Sequence, residues 1–268
     1  MAEGLRAAGW EVDELPVADG GEGTLDVLHA ALGGEWRKAA VHDAFGRPRP
    51  ARWLLLPDGT AVVESAEAIP LDPDRLDPEA ASSRGLGELI QAVGRPSALL
   101  VCLGGTATMD AGAGLGLRSL PAPTRVACDT LARLAEAPRL FGPQKGVRDV
   151  GALERRFAAL GLPDVAGGGA AGGLGAALAA LGAELVPGAA LVLDVIGFDP
   201  SGYDLVVTGE GAVDASTWTG KAPGEVVRRC QAAGVRFELF SARDDFSGSR
   251  IPERAREDLV ALGLRLAR

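Results

Sequence analysis

Tyr203-Asp204-Leu205-Val206-Val207-Thr208-Gly209-Glu210-Gly211-Ala212-Val213-Asp214, followed shortly by Gly220-Lys221-Ala222-Pro223, sets how the rest of the chain is read. Leu205 to Val207 is a continuously apolar run that breaks on a glycine-flanked acid, the pattern of a buried parallel strand ending in a tight turn. Gly209, Glu210, Gly211 and Asp214 therefore fall just past a strand's carboxyl end, where the loops of an open α/β sheet diverge and leave a crevice for ligands. Pro223 suits the first turn of a following helix, because proline's missing N–H is harmless there. Lys221 then stands just before the positive end of that helix, a place that suits a cation when an anion such as phosphate lies between it and the backbone N–H groups.

The same device recurs upstream. Val17-Ala18-Asp19-Gly20-Gly21-Glu22-Gly23-Thr24 joins three glycines and two carboxylates in a loop, with Thr24 as a cap and Leu25, Leu28 and Leu32 on one face of the next helix. Gly20, Gly21 and Gly23 allow backbone N–H groups to approach phosphate, and Asp19 and Glu22 offer the hard oxygens that magnesium prefers. Leu99 to Leu103 reads as a buried strand ending in Gly104-Gly105-Thr106-Ala107-Thr108-Met109-Asp110, again glycines, hydroxyls and one carboxylate. Ser83 and Arg84, at the start of a helix through Leu89 and Ile90, suit an anionic substrate and equally an ordinary capped helix start. Further strands are expected at Glu11–Leu15, across Trp36–Glu64 with a hairpin at Pro57-Asp58-Gly59, and at Thr124–Cys128, Leu191–Ile196 and Val235–Phe240. Helices are expected at Ala2–Gly9, around Ala152–Leu160 and at Ile251–Leu266, and Ala166–Leu181 reads as a glycine-alanine loop feeding a closely packed helix.

Composition narrows the function classes. A chain of 268 residues with 47% hydrophobic residues and a net charge of −9 reads as globular and cytoplasmic, and its acidity disfavours nucleic acid and anionic membranes as partners. Val165–Ala183 carries no charge, yet its glycines and alanines are too weakly apolar for a membrane span. The isolated Cys102, Cys128 and Cys230 fit buried thiols, and with only His29 and His42 a zinc site or histidine relay is poorly supported. Lysine stands only at positions 38, 145 and 221, so Lys145 and Lys221, both in glycine-containing stretches, mark places that want a compact ammonium, as phosphoryl-transfer sites do. No Gly-x-Gly-x-x-Gly follows a strand with an acid about 20 residues on, which disfavours a dinucleotide-dependent oxidoreductase.

Taken with Gly142-Pro143-Gln144-Lys145-Gly146 and Gly169-Ala170-Ala171-Gly172-Gly173-Leu174, these stretches make the chain resemble the type I glycerate kinases along most of its length. The resemblance implies an α/β protein of two unlike domains, a flavodoxin/Rossmann-like domain built from both chain ends (1–34 and 190–268) and an inserted α/β domain (35–189). It also implies ATP and Mg2+, with D-glycerate as the small-molecule substrate and phosphoglycerate as the product, the 2-hydroxyl being favoured over the 3-hydroxyl. On that reading Asp19 and Glu22 face the metal, and Gly20, Gly21, Gly23, Gly104, Gly105, Thr106, Gly209, Glu210 and Gly211 the nucleotide. Lys145 and Lys221 neutralise phosphate, Asp110 or Asp214 accepts the hydroxyl proton, and Arg84 with Ser83, or Arg47, meets the glycerate carboxylate.

Four departures from the family pattern stand out: no opening strand with Asp-Ser-Phe-Lys, Met109 in place of asparagine, Thr130-Leu131-Ala132-Arg133 in place of Asn-Pro-Leu, and a short charged tail at Glu238–Arg250. They raise a second expectation, a catalytically impaired nucleotide- or sugar-acid-binding relative. They also raise a homodimer in which a neighbouring chain covers an open strand edge.

Overall fold

The computed structural model describes residues 1–242 and 252–266, so most of the charged tail expectation, residues 243–250, lies outside the described residues. The chain divides into two compact units, one drawn from Met1–Pro16, Asp199–Trp218 and Val226–Arg268, the other from Val17–Phe198 and Thr219–Glu225.

The larger unit is built on a six-stranded sheet in the spatial order β1 (Glu35–His42), β2 (Pro48–Leu55), β3 (Thr60–Glu64), β4 (Ala98–Leu103), β5 (Thr124–Cys128) and β6 (Glu184–Pro187). β1, β2 and β3 run antiparallel, and β3 through β6 run parallel. The β2–β3 hairpin turns where expected, with the Thr60 N–H donating to Asp58 Oδ1 at 2.8 Å.

The apolar runs of β3 and β4 form strands because both faces of the sheet are covered there. On one face Ala61, Val63, Leu99, Val101, Leu103 and Val126 pack with Leu86, Leu89 and Ile90 of α4 (Arg84–Ala92) and Leu174 and Leu178 of α7 (Ala170–Ala180). On the other, Leu54, Val62, Cys102 and Ala127 meet Leu25 and Leu28 of α2 (Thr24–Leu32) and Leu191 of α8 (Gly188–Val195). Each fully buried Val or Leu contributes about 1.5–3 kcal/mol of hydrophobic transfer. A third, smaller cluster joins Leu134 and Ala137 to Leu153 and Phe157 of α6 (Val150–Ala158).

Parallel pairing in register aligns the carboxyl ends of four strands. Glu64 pairs with Cys102, Leu103 with Cys128, and Cys128 with Pro187. Ser65, Gly104, Asp129 and Gly188 therefore leave the sheet side by side.

In the smaller unit, β7 (Val206–Glu210) pairs in parallel with β8 (Phe237–Ser241), and α1 (Ala2–Ala7) packs on α10 (Pro252–Leu266). α9 (Ala222–Ala233) carries Pro223 in its first turn, as expected, and the division between the units passes through it.

Two strand expectations fail. Leu191–Ile196 is helical, lying almost wholly within α8, and the strand of that region is the preceding Glu184–Pro187. Glu11–Leu15 joins no ladder among the described residues.

Candidate active site

The site of the larger unit is assembled by loops laid across the aligned strand ends. The Val17–Gly23 loop lies against β5 and the start of α8: Gly20 adopts φ +95°, a methyl group there would stand 2.9 Å from the Ala127 carbonyl oxygen, and one on Gly188 would stand 2.1 Å from the Asp19 carbonyl oxygen. Within the loop, the Gly21 N–H donates to Asp19 Oδ1 at 3.1 Å and the Gly23 N–H to Glu64 Oε1 at 3.1 Å. The N–H groups of Gly21 and Gly23 are thus held by carboxylates of the chain itself. Thr24 does not cap α2; Gly23 occupies the cap position, and Thr24 Oγ1 donates back to the Gly21 carbonyl at 2.7 Å.

Gly104 presses directly on this loop. A methyl group at Gly104 would lie 2.6 Å from both Gly21 Cα and Asp129 Oδ2, so only glycine lets the two turns and the Asp129 carboxylate meet. Glu22 is exposed and leans over the next residue, its Oε2 lying 3.5 Å from where a Gly105 methyl would be. The Gly105 carbonyl accepts from the Leu71 N–H at 2.7 Å, tying the turn to the Ile69–Leu71 segment.

Beneath the turn sits Lys145. It is 6% exposed, and its Nζ donates to Thr106 Oγ1 at 3.3 Å and to the Thr108 carbonyl at 3.0 Å. Burial pulls its ammonium down to about 8 against the attraction of Asp129 and Asp110. Asp129, the first residue after β5, shows the converse. Its Oδ1 is buried without a hydrogen-bond partner, and burial, reinforced by the Asp19 charge, raises its carboxyl to about 7 despite Lys145 and Lys221. Lys221 is brought to this neighbourhood by its own stretch, where the Leu131 N–H donates to the Thr219 carbonyl at 3.2 Å and Gly220 adopts φ +118°. Asp19, Glu22, Asp129, Lys145 and Lys221 thus share one region with Gly21, Gly104 and Gly105.

Asp110 and Ser83 stand differently. Asp110 Oδ2 accepts from the Ser83 N–H, the Ser83 hydroxyl and the Gly114 N–H at 2.9, 2.8 and 3.1 Å, and Oδ1 accepts from the Gly112 N–H at 3.0 Å. Four donors on a buried carboxylate tie the start of α4 to the 110–114 turn. The Arg84 guanidinium lies on the surface and donates to Glu88 at 2.7 Å, while Arg47 pairs with Asp43 at 2.5 Å.

In the smaller unit, Glu210 is the last residue of β7 and not past it as expected, and it is knitted to Asp214 on the turn that follows. Thr217 Oγ1 donates to Glu210, the Asp214 N–H donates to Thr217 Oγ1 at 3.1 Å, and Asp214 Oδ1 accepts from the Ser216 N–H at 2.8 Å. Gly209 underlies the Phe240 ring, and Gly211 has open space where a side chain would stand.

Three residues of this region have no counterpart among the sequence candidates: Glu64, Ser65 and Asp129. Their signal was present, since each borders a buried strand's carboxyl end, the device by which Glu210 was found. Among the described residues, no three His, Cys, Asp or Glu side chains form a ready-made cation cage, and no helix is long and apolar enough to cross a membrane. The donor set still suits magnesium, which takes one or two carboxylates and completes its shell with water and phosphate oxygens.

Comparison with known proteins gives this arrangement its context. The profile of the glycerate kinase family matches residues 1–125 and 118–249. The chain is 35% identical to glycerate 2-kinase of Escherichia coli (strain K12) over 267 residues, 78% of this chain and 70% of that protein. It is 34% identical to a glycerate kinase of Bacillus subtilis (strain 168), over 85% of this chain and 75% of the other. A crystal structure assigned as glycerate kinase 2 from Salmonella typhimurium LT2 superposes with a TM-score of 0.72 at 27% identity, covering 99% of this chain and 91% of its own. With a family profile along most of its length and relatives of this identity, the chain belongs to the glycerate kinase family.

Proposed function

We propose that this protein transfers the γ-phosphoryl group of ATP to the 2-hydroxyl of D-glycerate, in the cytoplasm. The observation that carries the reading is the buried Lys145 beneath the Gly104–Thr106 turn, within the field of Asp129. Phosphoryl transfer asks little covalent chemistry of the protein; it needs the triphosphate held in line and its developing charge neutralised. Lys145 and Lys221 meet the phosphate oxygens, and Asp19 and Glu22 are the residues that hold magnesium. When bound with the nucleotide, that ion supplies positive charge against the transferring group. Asp129, rather than the four-times-bonded Asp110, accepts the proton released by the hydroxyl, since its ionisation lies near neutrality. Arg84, on the surface beside Ser83, is the fork for the glycerate carboxylate, exchanging Glu88 for the substrate. The preference for the 2-hydroxyl is supported by the likeness to the Escherichia coli protein named glycerate 2-kinase.

The test is ATP consumption on adding D-glycerate, with the product identified by 31P NMR. A 2-phosphate ester is expected. A 3-phosphate ester overturns the regiochemistry, and tight ATP binding with no turnover overturns the kinase reading in favour of an impaired relative.

A further inference from the structure

We propose that Glu64 and Ser65, where β3 passes into α3 (Ser65–Ala68), are the positioning residues of the site: their side chains clamp the Gly20–Gly23 loop and the Gly104 turn to one strand end. The inference rests on the kinase reading for its functional meaning.

Glu64 is 3% exposed and lies at the end of a central strand whose neighbours Val62 and Val63 are wholly buried. A carboxylate there is far more expensive than an apolar side chain unless it is hydrogen-bonded. Its two oxygens divide between two amides distant in sequence, with Oε1 accepting from the Gly23 N–H at 3.1 Å and Oε2 from the Leu25 N–H at 3.0 Å. Those are donors at the start of α2, which the helix itself leaves without partners. The end of α2 is therefore an anchor for the acidic loop, and Glu64 takes the place an external anion would occupy.

Ser65, fully buried, performs the same service for the other turn. Its hydroxyl accepts from the Gly104 N–H at 3.1 Å and donates to the Gly104 carbonyl at 2.9 Å, so one side chain fixes both backbone groups of one glycine. Gly104 in turn abuts Gly21 and Asp129. The contacts close a ring: Glu64 to Gly23, along the loop to Gly21, across to Gly104, and back to Ser65. Glu22 rides on one arc of it, Asp19 is tied to the same arc through the Gly21 N–H, and Asp129 touches another, so the spacing of the charged groups is set by two adjacent side chains that carry no chemistry themselves.

Glu64→Gln and Ser65→Ala test this beside Leu89→Ala, a truncation in the core that makes no hydrogen bond to either turn. Each variant is assayed well below its unfolding temperature. Glu64→Gln and Ser65→Ala are expected to lower kcat by about 100-fold, the scale of a misplacement of about 1 Å, with KM for ATP changed less than about threefold. Leu89→Ala, with a comparable fall in Tm, keeps its kcat. By amide hydrogen exchange, whichever of Gly23 and Leu25 faces the new NH2 group loses protection in Glu64→Gln, and Gly104 loses it in Ser65→Ala. A kcat within about threefold of wild type in both variants, or an equal loss in Leu89→Ala, overturns the proposal. If the wild-type protein turns over no glycerate, the kinase reading falls separately, and unchanged exchange at Gly23, Leu25 and Gly104 then overturns the clamp by itself.

Discussion

Lys145→Met replaces a buried ammonium by an uncharged chain of similar length, and its consequences can be worked from the site. Burial holds Lys145 at about 8 against an ordinary 10.5. At about 1.4 kcal/mol for each tenfold change in proton affinity, keeping it charged disfavours the fold by about 3 kcal/mol below pH 8. The sign follows from proton counts: between pH 8 and 10.5 the unfolded chain still binds a proton that the folded chain has released, so this lysine's contribution makes stability rise with pH there. Urea unfolding of wild type and Lys145→Met at pH 7, 8.5 and 10.5 reads that contribution together with the response of Asp129, whose carboxyl Lys145 holds down, against a background of titrating groups common to both. The difference is expected to move in favour of wild type by about 3 kcal/mol from pH 7 to 10.5. Turnover moves the other way: removing the cation lowers kcat by about 10²–10³-fold, and the basic limb of kcat/KM near pH 8 disappears. A stability difference that stays flat with pH, or a variant with wild-type turnover, refutes the reasoning.

Lys221→Ala, at the boundary of α9 where the stretch is already positioned by backbone bonds, is expected to cut turnover by several orders of magnitude while leaving the melting temperature unchanged; steady-state kinetics and calorimetry together check this. Gly104→Ala puts a methyl group 2.6 Å from Gly21 Cα and Asp129 Oδ2, so thermal unfolding should show about 1–3 kcal/mol of destabilisation together with loss of activity even well below the melting point. Asp110→Asn leaves one of four donors facing an amide NH2, and about 1–3 kcal/mol of stability should go with it. Since both Asp110 oxygens are already occupied, kcat of its folded fraction should stay close to wild type, and a collapse of kcat without a change in melting would return Asp110 to the chemistry.

Much of this architecture was legible because buried parallel strands have a plain signature. Leu99–Leu103 and Leu205–Val207 are apolar without alternation and lead into glycine turns, and both fall on strands, as does Thr124–Cys128 despite its exposed Arg125. The same signature misled at Leu191–Ile196, since so short an apolar run, broken only by the exposed Asp194, has too little period to separate helix from strand. Glu184–Pro187 escaped because it is short and only partly buried, so it carries no apolar run. Of the candidate site, the lysines stood out in the sequence by their rarity and Asp19 and Glu22 by their glycines. Glu64, Ser65 and Asp129 were missed because their partners lie far off in sequence: Glu64 is 41 residues from Gly23, and Ser65 is 39 from Gly104. Local spacing cannot report a hydrogen bond made across neighbouring strand ends.

The opposite charges of this site are kept near each other without being joined. Lys145 spends donors on Thr106 and the Thr108 carbonyl, while Asp129 Oδ1 has no hydrogen-bond partner at all, and burial drives both groups toward their neutral forms. A direct ion pair would relieve both burdens, and an apolar pair would relieve them further, since replacing buried ion pairs by packed apolar residues is often neutral or stabilising. Neither is what the strand ends hold. A lysine bonded to a carboxylate would have its field quenched before any phosphate arrived, whereas one held on a hydroxyl and a carbonyl keeps its charge available in a region of low dielectric, where it acts most strongly on developing negative charge. The unfavourable burial of Lys145 and Asp129 is thus what the proposed phosphoryl transfer asks of them, and the bonds of Lys145 to Thr106 and the Thr108 carbonyl hold its ammonium off the carboxylate.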